Sequence, residues 1–122
     1  MSAGSLSVGR LTAQITIEPG FPVTVNDAAV TAWVAEVAAG VVGQARVLSM
    51  PAPVMGAEDF SYVLEAVPGA MVFLGTCPEG TAPDQAAPLH SNRMVLDETV
   101  MARGIAMHCA MAEAMLGGGL EL

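Results

Sequence analysis

The sequence has no lysine, and its four basic residues, Arg10, Arg46, Arg93 and Arg103, are all arginines. Set against twelve acidic residues they leave a net charge of −8. A surface of that sign repels both a phosphate backbone and an anionic bilayer, so neither nucleic acid nor membrane is expected as a partner. Charged residues make up only 13% of the chain, and the acidic ones are dispersed rather than run together, as on a solvated, self-repelling surface. Cysteine is nearly absent. Cys77 and Cys109 form no CxxC pair, which excludes a zinc-ribbon or thioredoxin-like reading, and both are expected to be inert thiols. The N-terminus has no basic stretch followed by an apolar one, so no secretory signal is read there and a cytoplasmic location is the expectation. The longest apolar stretch, Ala28 to Val42, falls short of the roughly 20 residues of a membrane span and carries Glu36 at its middle, as a buried helix can.

Apolar residues are plentiful. They make up 53% of the 122 residues, at a mean hydropathy of +0.57. A chain of this length fits one domain or a slice of one, and it has proportionately much surface to cover with polar groups. The apolar excess therefore points to surface that expects a partner.

Residues 1–9 are small and polar and read as a disordered or non-native leader. From Leu11 to Glu18 apolar and polar residues alternate, which predicts a strand with one buried face. Pro19-Gly20 turns the chain into a second extended run, Phe21 to Val25. Asn26 or Asp27 caps a helix to about Val42, with Val30, Val34, Val37 and Val41 on one stripe and Gly43 as its stop. Arg46 to Met50 reads as a short strand. A helix over Ala57 to Ala66 follows, with Glu58 and Asp59 near the positive end of its dipole. Ala70 to Leu74 is a continuous apolar run, which predicts a strand covered on both faces.

Gly75 to Val95 is a long segment with little periodicity and three prolines, and such loops are commonly functional. The last helix runs from Asp97 to about Leu116, with Val100, Gly104, Met107 and Met111 on one stripe, and Gly117 to Gly119 end it. The alternation of strands and helices predicts an α/β layer with at least partly parallel strands.

A hydrolytic metal site needs three or four N, O or S ligands per ion, an open position for water and a carboxylate base. The chain has two histidines. His90 lies in the irregular segment, where the backbone can aim an imidazole into a cleft, whereas His108 falls on the last helix among packing residues. Glu58 and Asp59 are acidic neighbours that suit either a helix start or a role beside a metal site. A triad of Ser61 or Ser91 with His90 lacks any GxSxG elbow and is set aside.

These residues carry a resemblance. The run Met55-Gly-Ala-Glu-Asp-Phe-Ser-Tyr62, the run Val67-Pro-Gly-Ala-Met-Val-Phe-Leu-Gly75, the triplet Leu89-His90-Ser91 and the downstream pair Asp97-Glu98 closely resemble the end of hippurate hydrolases. The same blocks in the same order mark auxin-conjugate amidohydrolases and related aminoacylase and carboxypeptidase metallohydrolases. Phe21 to Asp27 is similar to the stretch where such enzymes leave a small lid or dimerisation domain and re-enter the catalytic domain.

The resemblance implies an α/β fold: the C-terminal portion of a di-metal amidohydrolase catalytic domain, a sheet with packed helices, preceded by the last strand of the lid domain. It divides the chain into a leader (residues 1–9), the end of the lid and linker (10–25), the catalytic portion (26–116) and a tail (117–122). It further implies cleavage of the amide bond of N-acyl amino acids or small peptides by water activated at two divalent metals, zinc or manganese. His90 would be a metal ligand, and Glu58 and Asp59 would support the site or position substrate.

The family's HxD or GCGHD segment, its paired glutamates and its further ligand histidine are absent from this sequence, and Asn92 stands where proline is common. No catalytic residue is therefore expected within this chain, which should be inactive without a missing N-terminal catalytic portion. A homodimer is also conceivable on this basis, and the competing expectation is a non-catalytic binding or oligomerisation module on the same fold.

Overall fold

A computed structural model describes residues 2–82 and 84–118. The chain opens with a hairpin of β1 (Ser2–Val8) and β2 (Leu11–Ile17), antiparallel, with Ser2 opposite Ile17 and Val8 opposite Leu11. Gly9, at φ 64°, is the first of the two turn residues, the position that a tight hairpin gives to glycine. Residues 2–8, expected to be a disordered or non-native leader, form the strand β1. Gly4, Leu6 and Val8 pair with Ile15, Ala13 and Leu11 and extend their apolar face. The small residues between them hide that alternation in the sequence.

The strand expected at Leu11 to Glu18 is present, but every residue of β2 is exposed, so its predicted buried face has nothing on it. Among the described residues neither strand packs against a helix.

Three helices make up the rest: α1 (Ala28–Val42), α2 (Ser61–Ala66) and α3 (Met101–Leu116). In α1 the Asp27 carboxylate accepts the Val30 amide at 2.9 Å, and Gly43, at φ 86°, donates its amide to Ala39 O at 3.0 Å. Both signals were legible in the sequence. The helix α3 packs on α1, and a short 3-10 turn at Glu98–Val100 leads into it. The predicted stripe of Val100, Gly104, Met107 and Met111 is half-buried, joined by Ala110 and Ala114, whereas Met101, Ile105 and His108 face solvent. Gly117 caps α3. Gly119 and the last residues of the tail lie outside the described residues, as does Pro83.

Both interior strands are missing from the described residues. Gln44–Arg46 is a 3-10 turn, and no strand follows it to Met50. Ala70 to Leu74 forms no strand and pairs with none among the described residues. The result is a small α/β chain of three helices and one hairpin, not a partly parallel sheet.

The segment Gly69–Thr76 is nevertheless fixed at both ends. Asp27 N donates to Gly69 O at 2.8 Å, and the Asn26 side chain makes both bonds to Met71, Nδ2 to O at 2.9 Å and Oδ1 from N at 2.8 Å. Asp97 N donates to Thr76 O at 2.9 Å. Leu74 lies against α3, where a Cβ added at Gly104 would come within 3.2 Å of its Cδ2.

Very little of this is buried. Among the described residues Val30 and Val34 are the only buried apolar ones, and Val72, Phe73, Leu48, Val54 and Met55 are all more than half exposed. The accessible surface is 9972 Å². A compact monomer of this mass exposes about 6,100 Å², so some 3,800 Å² is in excess, well above the roughly 800 Å² that one partner gives to a standard interface. Cys77 and Cys109, expected to be buried, are exposed. The partial burial of α1 has the same cause.

Candidate functional site

The acidic pair sits one turn earlier than the sequence predicts. The helix α2 begins at Ser61 rather than Ala57, and Glu58 and Asp59 belong to the turn that precedes it. Glu58 is half-buried, and its Oε1 accepts the Phe60 amide at 3.2 Å. Ser61, fully buried, donates its hydroxyl to Glu58 O at 2.7 Å, and Tyr62 N bonds Asp59 O at 3.1 Å. One carboxylate oxygen of Glu58 is thus committed to the start of α2, as expected where backbone amides lack partners inside the helix. Tyr62 stacks edge-on against Phe21, with ring centres 5.8 Å apart, which ties the Phe21 to Val25 run to this turn.

His90 lies on an exposed turn with φ 70°, the one non-glycine residue in the left-handed region among those described. Two consecutive turns frame it. Ser91 N donates to Pro88 O at 3.0 Å, and Met94 N donates to Ser91 O at 3.1 Å. The Ser91 hydroxyl accepts the Arg93 amide at 3.1 Å. Sequence reasoning noticed Ser91 as a nucleophile to be discarded and as part of the Leu89-His90-Ser91 triplet, not for its turn; the signal for that role was a short hydroxyl residue two positions before an amide in a proline-bearing loop.

Among the described residues no hydrogen bond joins His90 to Glu58 or Asp59, and no group of three or more His, Cys, Asp or Glu side chains could hold a metal ion. His90 has the donor chemistry and the access of a ligand, but the described residues do not fit a complete metal centre. An open groove of about 510 Å³ lies elsewhere, between Val25–Ala28 and Leu64–Pro68.

One carboxylate in the region is shifted. Asp97 titrates below the ordinary carboxylate range, first because Thr99 Oγ1 donates to it at 2.6 Å, then because the Thr99 amide does so at 3.0 Å, with Arg103 adding charge attraction. Its role is to cap the approach to α3.

Comparison with known proteins places these elements in a class. Residues 3–114 match peptidase family M20/M25/M40, and the chain belongs to that family of amidohydrolases and peptidases. It is similar to IAA-amino acid hydrolase ILR1-like 4 of Arabidopsis thaliana, at 34% identity over 81% of this chain and 22% of that protein. It is also similar to thermostable carboxypeptidase 2 of Saccharolobus solfataricus, at 34% identity over 79% of this chain and 23% of that one. A shorter stretch, 41% of this chain and 11% of the relative, is 46% identical to N-acetyldiaminopimelate deacetylase of Lactococcus lactis. The chain therefore spans less than a quarter of these relatives' lengths. No solved structure matches it. No helix among the described residues is long and apolar enough to cross a membrane.

Proposed function

We propose that the chain is the C-terminal catalytic-domain portion of a metal-dependent, cytoplasmic amidohydrolase that cleaves the amide bond of N-acyl amino acids or small peptides, and that it is inactive alone. The observation that carries this reading is a family match over residues 3–114 in a chain whose described residues offer an exposed, turn-borne His90 but no set of three metal donors. A divalent pair, zinc or manganese, would supply an activated water in the complete enzyme. Of this chain's residues only His90 would hold a metal, because metal affinity comes from several ligands acting together and a single imidazole does not suffice.

The excess surface supports the same reading. The segment Gly69–Thr76 exposes Val72 and Phe73 at 54% and 65% and is tied by Asn26, Asp27 and Asp97. An apolar segment that pairs with no strand leaves backbone groups on which a further strand could pair. The occupant in this reading is the remaining, N-terminal portion of the catalytic domain. Glu58 and Asp59, held by the start of α2, would then face substrate or support the site from the border with that portion.

The test is direct. Purified chain loaded with Zn²⁺ or Mn²⁺ should not turn over hippurate or another N-acyl amino acid, and adding the upstream portion in trans should restore turnover. Robust activity of the chain alone would sink the reading. A second reading, a non-catalytic oligomerisation module, draws on the same 9972 Å² of accessible surface. A discrete dimer by sedimentation, with no response to the upstream portion, would favour it.

A further inference from the structure

The hydrogen bonds of Gly69–Thr76 are divided unevenly. Asp27 N donates to Gly69 O (2.8 Å), the Asn26 carboxamide bonds both the O and the N of Met71 (2.9 and 2.8 Å), and Asp97 N donates to Thr76 O (2.9 Å). Between these ties, neither the N–H nor the C=O of Val72, Phe73, Leu74 or Gly75 has a hydrogen-bond partner among the described residues. All four residues are exposed. The Asn26 tie differs in kind from the other two. Any residue offers a backbone amide, whereas a side chain that both donates and accepts at Met71 calls for a carboxamide. Exchanging both bonds with one residue is what a neighbouring strand does at a hydrogen-bonded pair. Asn26 therefore stands in for a strand at Met71 and occupies one side of the segment. Because a strand's neighbour bonds every second residue, a strand added on the opposite side meets Val72 and Leu74, not Phe73.

We propose that Val72–Leu74 is a strand-docking edge and that the Asn26 carboxamide decides which side of it is open. The occupant is an apolar, extended segment of the portion of the catalytic domain that this chain lacks. That choice rests on the reading of the chain as a fragment: it spans less than a quarter of the relatives' lengths, so most of the residues able to cover the edge lie outside it. No charged residue occurs from Gly69 to Thr76. Recognition therefore falls to main-chain bonds and to the Val72 and Phe73 side chains, as in strand addition to an open edge.

Amide exchange of the 122-residue chain, followed alone and with the upstream portion added, tests this. On assembly the Val72 and Leu74 amides should each slow at least about tenfold relative to the free chain, the protection of one hydrogen bond, and the Phe73 amide should slow less. Asn26→Ala should weaken assembly about tenfold through loss of the two bonds to Met71 and erase the difference between Phe73 and its neighbours. Asn26→Asp keeps the shape and the acceptor but has no donor for Met71 O, and it should do the same. The helical signal of α1 and α3 checks that both variants stay folded.

If the upstream portion restores turnover while none of the three amides slows, the fragment reading stands and the docking edge is refuted. If Phe73 slows as much as Val72 and Leu74 in the wild type, or if Asn26→Ala assembles at full strength, Asn26 does not decide the open side. If the upstream portion neither binds nor restores turnover, the fragment reading fails and takes the docking edge with it. Slowing that follows the concentration of the chain alone means that a second copy occupies the edge, which overturns the choice of occupant.

Discussion

The hairpin and the helical layer are built from the same kind of sequence and held in opposite ways. In β1–β2 every bond is local: partners lie within one antiparallel register, and the side-chain link Ser7 to Thr12 joins exposed hydroxyls at 3.3 Å. The helical layer is tied across 45 residues by the paired bonds of Asn26 to Met71, and again where Asp97 meets Thr76. The only buried apolar side chains among the described residues, Val30 and Val34, are there too. A lone two-stranded hairpin is marginal in water, and one with an open apolar face more so. The difference shows which region carries its own order and which depends on neighbours. The His90 turn is of the hairpin's kind, closed only by Pro88, Arg93 and Met94.

The largest expected effect tests that contrast. Val34→Asp puts a charge among the few buried groups and should cost more than about 3 kcal/mol, enough to erase the cooperative helical transition followed by circular dichroism. Ile15→Asp on the hairpin should leave that transition in place. Equal damage from both would mean that the hairpin is coupled to the helices after all.

Next in size, Asn26→Ala removes two side-chain bonds to Met71 and should lower stability by about 1–2 kcal/mol, read from the urea midpoint, while Ser7→Ala should change it by less than about 0.5 kcal/mol. If Asn26→Ala is as mild as Ser7→Ala, the long-range tie is not what holds Gly69–Thr76 in place.

A smaller effect should appear with pH. Asp97 titrates below its ordinary range when folded because Thr99 bonds its carboxylate. A carboxylate depressed in the folded state stabilises it above the unfolded value, and that contribution is lost as pH falls through the folded one. Fraying at the start of α3 should therefore set in only as pH falls below the ordinary carboxylate range, seen as loss of helical ellipticity. Asp97→Asn should flatten that part of the titration. The hairpin, which carries no such carboxylate, should show no matching change.

Where sequence reasoning succeeded and failed follows the same division. The caps Asp27, Gly43 and Asp97 and the α3 stripe from Val100 to Met111 were legible because capping and periodicity are local, satisfied by residues within four positions. The strands at Arg46 to Met50 and Ala70 to Leu74 were read from apolar runs, and such runs specify a strand only when another strand pairs with it. Here Met71 finds Asn26 instead. The hairpin's first strand was missed because Gly4 and the serines dilute its alternation. For the site, the motif around Leu89-His90-Ser91 marked the ligand candidate, but the left-handed φ of His90 and the bonds of Ser91 depend on turn closure, which residue types alone do not announce. The exposed Cys77 and Cys109 teach the converse: a thiol's usual burial presumes a complete core.

A small effect on stability is expected at His90 itself, and that is what makes it informative. Holding a non-glycine residue at φ 70° costs roughly 1–2 kcal/mol, by the same crowding that disfavours left-handed helices. Glycine escapes that crowding but loses about 0.5–1 kcal/mol more backbone freedom on ordering. His90→Gly should therefore leave the chain's stability within about 1 kcal/mol of the wild type, the difference of those two terms. The ring makes no hydrogen bond among the described residues, so nothing else is lost with it. Denaturant midpoints check this directly. A marked destabilisation would mean that the imidazole packs in this chain and would move His90 into the self-supported part of the comparison; a neutral result leaves its strained geometry without a structural purpose inside these 122 residues.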